Sequence, residues 1–168
     1  MRPIPTAIAL PGLLALGLCL NGSALAQQAK RAPDPAIEAQ LKALDYKYEV
    51  DDDGDYKLVF DMDEAGTRSQ LVFVRSAVED YDGHKSRDIL SPGYRASGDA
   101  LPANVANRLL EASMDNLMGG WSKQGNLAIF IVRIPADASK ETLDAAITAA
   151  INSADQMEAE LTPGQDEF

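Results

Sequence analysis

The stretch Leu44-Asp-Tyr-Lys-Tyr-Glu-Val-Asp-Asp-Asp-Gly-Asp-Tyr-Lys-Leu-Val-Phe-Asp-Met62 decides the fold. Tyr46, Tyr48 and Val50 alternate with Lys47 and Glu49; beyond Asp53-Gly54, Tyr56, Leu58, Phe60 and Met62 alternate with Lys57, Val59 and Asp61. A period of two marks a strand with one buried face. Asp-Gly between two such runs is a hairpin signal, because glycine enters the left-handed turn conformation freely. The chain therefore opens an antiparallel sheet here.

Downstream, residues 69–77 read as a third strand, and Leu71-Val-Phe-Val74 is apolar on both faces, which predicts cover on both sides. Tyr81-Asp-Gly83 is a turn, residues 85–90 a fourth strand, Ser91-Pro-Gly93 its stop and residues 94–98 a loop. A helix follows from Leu101-Pro102, with Leu101, Val105, Leu109 and Ala112 in one row. Ala106, Leu110, Met114 and Leu117 widen that row, and Gly119-Gly120 ends the helix. Trp121 opens a second hairpin that turns at Gln124-Gly-Asn126 into an apolar strand over 127–134, closed by Pro135, with both faces expected to be buried. The last helix, capped by Asp137 or Ser139, spans about 140–160 and buries Leu143, Ile147, Ala150, Ile151, Ala154 and Leu161. Residues 162–168 form an acidic tail expected to be flexible.

Upstream, Asp34-Pro35 is helix-start chemistry, an aspartate cap followed by proline at the first helical position, and Ile37, Leu41 and Leu44 follow at helical spacing. Residues 27–33 read as a flexible lead-in. Residues 1–26 have the three parts of a secretory signal peptide: Arg2, an apolar core from Ile8 to Leu20, and small residues ending at Ala26. The core falls short of the ~18 residues a membrane span needs, and the bulky Leu18 before Cys19 disfavours a lipoprotein site. The expectation is a periplasmic or secreted protein, cut after Ala26, without a stable membrane anchor.

Cys19 is the only cysteine, so the exported domain relies on its hydrophobic core and not on disulfides. A net charge of −11 opposes contact with nucleic-acid phosphates and anionic lipid headgroups. Taken together, the elements predict an α+β fold: a twisted antiparallel sheet of about five to six strands flanked by helices, in the order α-β-β-β-(β)-α-β-β-α, as one domain over 34–161.

That order, with Leu44 to Asp55, Arg68-Ser-Gln-Leu-Val-Phe-Val74, Ala106-Asn-Arg-Leu-Leu110 and the hairpin from Trp121 to Ile134, resembles the YbjN domain family. These bacterial proteins are often labelled sensory transduction regulators. The resemblance implies a type III secretion chaperone-like fold, a protein or peptide partner and a homodimer. It carries no catalytic, cofactor-binding or metal-ligating residues, and the export signal sets this chain apart from the cytosolic chaperones.

The residues themselves propose little chemistry. Setting Gly54 at the sixth position of a calcium loop brings Glu49, Asp51 and Asp53 to positions one, three and five, but Phe60 falls where a bidentate glutamate is needed. The run Asp51-Asp-Asp-Gly-Asp55 thus reads as a solvated hairpin tip, with a calcium-responsive module as the alternative. His84 is the single histidine, too few for a zinc site. Ser86, His84 and Asp88 could compose a hydrolase triad only on paper, and there is no Gly-x-Ser-x-Gly elbow, phosphate loop or dinucleotide fingerprint. Trp121 reads as a core residue or a partner anchor, and Tyr46, Tyr48 and Tyr56 as core or as a peptide-binding edge. The expected function is a non-catalytic protein-interaction domain without catalytic, cofactor or metal residues.

Overall fold

A computed structural model describes residues 31–168. The expected signal peptide, Cys19 and residues 27–30 of the lead-in lie outside the described residues. Three helices and seven strands alternate as α1 (Pro35–Ala43), β1 (Glu49–Val50), β2 (Tyr56–Asp61), β3 (Ser69–Val74), β4 (Glu79–Tyr81), β5 (His84–Arg95), α2 (Ala103–Asp115), β6 (Gly119–Gln124), β7 (Leu127–Pro135) and α3 (Lys140–Leu161). The strands form one antiparallel sheet in the order β1-β2-β3-β5-β7-β6, with β4 paired to β5 beside the end of β3. The fold is α+β, as the sequence predicts, and the added strand is the short β4. Asp82 and Gly83, both at positive φ, form the tight turn that folds β4 onto β5.

Cross-strand pairing sets the two faces. Tyr56, Leu58, Val72, Val74, Ile89, Phe130, Val132 and Ile134 point to one side, where Ile37 and Leu41 of α1 and Leu143, Ala146, Ile147, Ala150 and Ile151 of α3 close the main core. Burying Leu143, Ile147 and Ile151 contributes roughly 1.5–3 kcal/mol each. The Ser139 cap on Thr142 is worth about 1 kcal/mol, so packing dominates in α3. A second cluster at the other end joins Val105, Leu109 and Ala112 of α2 to Ala128 and to Met157 of α3.

Several expectations are corrected. The first strand shrinks to Glu49–Val50, because Asp45 at φ 57° redirects the chain and the Tyr46 and Tyr48 hydroxyls bind Asp144 of α3 and Glu38 of α1. Burial, and then the bond to Asp144, pushes the Tyr46 hydroxyl up to about 12. The third strand stops at Val74, and the fourth does not stop at Ser91-Pro92-Gly93 but runs on to Arg95. A register shift between Pro92 and Tyr94 absorbs the proline, which has no N–H to give to the ladder. A side chain at Gly93 would come within 2.6 Å of the Trp121 ring, so this glycine serves packing and not a stop.

Likewise α2 ends at Asp115, and Gly119 starts β6. A Cβ at Gly119 would sit 2.5 Å from the Ile131 carbonyl, so the glycine permits close approach of β6 to β7. Leu110, Met114 and Leu117 do not join the core: they are 65%, 87% and 99% exposed. The strands β3 and β7 are covered by helices on one face only, since Leu71, Phe73, Leu90, Ile129 and Ile131 belong to neither core cluster. The acidic tail, expected to be flexible, lies against the domain. Asp166 accepts from the Ser69 N–H, the Glu167 N–H donates to Glu158, Glu167 pairs with Arg95, and Phe168 is buried under the Arg95 guanidinium.

Candidate protein-interaction surface

Helix α2 sits beside the outermost long strand, β6, and is pinned at three points, one on β6 and two on α3. Ser113 accepts from the Trp121 N–H at 2.9 Å, Asn116 accepts from Ser153 of α3 at 3.1 Å, and Arg108 makes two 2.7 Å bonds to Glu160. That pairing holds the Glu160 carboxyl below its ordinary value and raises the Arg108 guanidinium. With the helix so oriented, Val105, Leu109 and Ala112 turn inward. Leu110, about 100° further round from Leu109, and Met114, one turn beyond Leu110, face solvent.

Between α2 and β6 lies an apolar groove of about 300 Å³, lined chiefly by Leu101, Ala106, Leu109, Leu110, Trp121 and Lys123. One edge of Trp121 packs on Phe130, with ring centroids 5.4 Å apart, and the remainder lines the groove. Among the described residues, strand β6 pairs only with β7, so its outer side is a sheet edge alongside this groove.

The acidic run forms a turn closed upon itself. The Asp51 carboxylate accepts from the N–H groups of Asp53 and Asp55 at 2.9 Å, and buried Asp55 accepts from Ser76 and pairs with Arg75. Gly54, at φ 81°, lies where a Cβ would be 2.2 Å from the Arg31 carbonyl, so the entering chain crosses directly over the tip. Among the described residues, no group of three or more His, Cys, Asp or Glu side chains is arranged to hold a metal ion.

His84 is exposed at the start of β5, opposite Tyr81. Ser86 and Asp88 follow it on the same strand face, each step of two residues covering roughly 6–7 Å. The Asp88 carboxylate is engaged by Arg133 at 3.0 Å. This arrangement does not build a triad. Tyr56 is fully buried with its hydroxyl on the Asp34 carbonyl, and Tyr46 and Tyr48 are half-buried, so the three tyrosines serve packing and not an open edge.

Buried polar groups escape a reading by alternation. Arg87 is 2% exposed and binds the Asp34 carboxylate and the Arg75 carbonyl. Gln70 and Ser91, both fully buried, bond to each other at 3.0 Å and to the carbonyls of Pro92 and Leu71. The one local hint is that Arg87 and Ser91 share the parity of Ile89, the inward face of β5. Among the described residues, no helix is long and apolar enough to cross a membrane. No protein-family model matches this chain, and no curated protein matches it.

Proposed function

We propose that this chain is an exported, non-catalytic interaction domain of the YbjN-like kind. On this reading the surface of α2 and the groove beside β6 receive an extended apolar segment of a partner protein. The observation that carries the reading is the juxtaposition of Leu110 and Met114, an apolar groove, and a sheet edge within one surface. An edge strand offers main-chain hydrogen bonds to an incoming strand, while an adjacent apolar groove takes alternate side chains. An exposed apolar patch rimmed by polar residues is a usual mark of a binding site. The α+β order of the elements supports the YbjN-like identity.

Trp121, the sole tryptophan, lines the groove and supplies a built-in reporter. Titration with a synthetic peptide of alternating valine and threonine should shift its emission saturably, and Ala106→Glu should abolish the shift. Emission that stays constant, or a shift that survives Ala106→Glu, would remove the groove as the binding site.

A further inference from the structure

Strands β3 and β5 diverge within the sheet. They pair at Phe73↔Leu90 and Val74↔Ile89, near one end of β3, and the ladder stops there. Continued, that register would bring Pro92 opposite Leu71, and proline has no N–H to give. Side chains bridge the opening instead: the Ser91 hydroxyl donates to the Leu71 carbonyl at 2.6 Å, and the Gln70 amide to the Pro92 carbonyl at 2.7 Å. Beyond them the strands leave a slot. The Met62 N–H donates to the Arg68 carbonyl, so the Ser69 N–H, next along β3, points away from β2 and into that slot.

Residues 164–168 fill it through side chains. The Asp166 carboxylate accepts from the Ser69 N–H at 3.0 Å and from its hydroxyl at 3.2 Å. Glu167 pairs with Arg95, and Phe168, 8% exposed, lies under the same guanidinium, 5.5 Å from carbon to ring centroid. One arginine thus reads a carboxylate and the aromatic ring beside it, by ion pair and by cation–π contact. We propose that this slot is a recognition site for a partner protein's segment carrying a carboxylate directly before an aromatic ring, and that residues 164–168 occupy it until such a segment displaces them.

Two observations mark the present occupant as a strap that can leave. The first is its connection. Thr162 closes α3 on the Glu158 carbonyl, Gly164 turns the chain at φ 79°, and residues 165–168 belong to no helix or strand. The second is charge. Docking the strap brings Asp166 and Glu167 up to Asp155 and Glu158, and these four carboxylates share Arg68 and Arg95. Asp155 takes Arg68 at 2.6 Å; one Glu158 oxygen, 4.0 Å from Arg68, is buried without a hydrogen bond. A segment that offers Arg95 its carboxylate and ring, but offers Ser69 a neutral acceptor, meets less repulsion than the strap does.

The probe is therefore the labelled peptide Gly-Gln-Asn-Glu-Phe, blocked at both ends, read by fluorescence anisotropy against the full chain recovered from a host that exports it. A tethered strap competes at roughly millimolar effective concentration, so the slot is best tested opened. Phe168→Ala, and independently Glu167→Ala, should bind the peptide about tenfold or more tighter than wild type. Adding Arg95→Glu should remove that binding, whereas adding Ala106→Glu in the α2 groove should leave it unchanged. Should Arg95→Glu not unfold cooperatively in urea, the ligand reports the same contact: a peptide with Gln for its Glu, or Ala for its Phe, should bind about tenfold or more weakly. No saturable binding to either opened variant would overturn the proposal, as would equal binding to wild type or indifference to both peptide changes. Loss of binding with Ala106→Glu would place the peptide on α2 and equally reject the slot.

Discussion

Arg87, in the fourth long stretch of alternation, is tied to Asp34, which lies 53 positions earlier and also caps α1 through the Ala36 N–H. One aspartate thus serves as helix cap and as counter-ion to a guanidinium that is 2% exposed. Its own N–H donates to Ser76, and Ser76 in turn donates to the Gly54 carbonyl. The entry to α1, the acidic turn and the inner face of β5 are therefore one connected unit.

Removing that carboxylate should strand a buried charge. Asp34→Ala loses the cap, worth about 1 kcal/mol, and leaves Arg87 without its counter-ion, so a total loss of about 2–4 kcal/mol is expected in urea unfolding. Asp34→Asn keeps the cap and should lose less. Burial alone would raise the Asp34 carboxyl, but the Ala36 N–H and Arg87 outweigh it and hold it below its ordinary 3.8. A depressed carboxyl contributes stability above its unfolded value and loses it as pH falls through the folded one. The gap between wild type and Asp34→Asn should therefore narrow in acid below 3.8; a gap independent of pH would contradict the assigned role.

Glu158 should show the opposite sign. It is 1% exposed, accepts from the Glu167 N–H at 2.7 Å, and has its other oxygen buried without a hydrogen bond. Burial pushes its carboxyl up; Glu167 and Arg68 pull down, while Asp155 and Asp166 add to the rise. The folded state then holds the proton more tightly, so stability falls as pH rises from the ordinary 4.5 through the raised value. Glu158→Gln should be more stable than wild type near neutral pH, with the advantage fading below 4.5. Thermal melts across pH decide this; an advantage that grows in acid would refute it.

Neighbouring residues of α2 should separate folding from binding. Leu109, 3% exposed, packs in the second core, and Leu109→Ala should cost about 2–5 kcal/mol. Leu110→Glu and Met114→Glu change side chains that are 65% and 87% exposed and should stay within about 0.5 kcal/mol of wild type. Urea midpoints compare the three directly. A large loss from Met114→Glu would mean that this side chain supports the fold and is not spare surface.

What the sequence by itself determined were the local features: the hairpin at Asp53-Gly54, the Asp34-Pro35 helix start, the phase of α3 and the α+β order. Each follows from side-chain period and turn chemistry within a few residues. Tertiary structure alone decided the rest. Ser91-Pro92-Gly93 looks like a stop, yet the strand continues, because Trp121 and Ala154 pack where a Gly93 side chain would stand and a register shift accommodates Pro92. Alternation put Leu109 and Leu110 in one broad apolar face, but only the arrival of β7 and α3 determined that Leu109 is covered and Leu110 is not. The same holds for β3 and β7: a strand apolar on both sides carries no record of which side receives the helices. Periodicity states which side chains share a face, while the partner of that face comes from distant chain, and so the groove beside β6 and the Arg87–Asp34 pair exist only in the folded molecule.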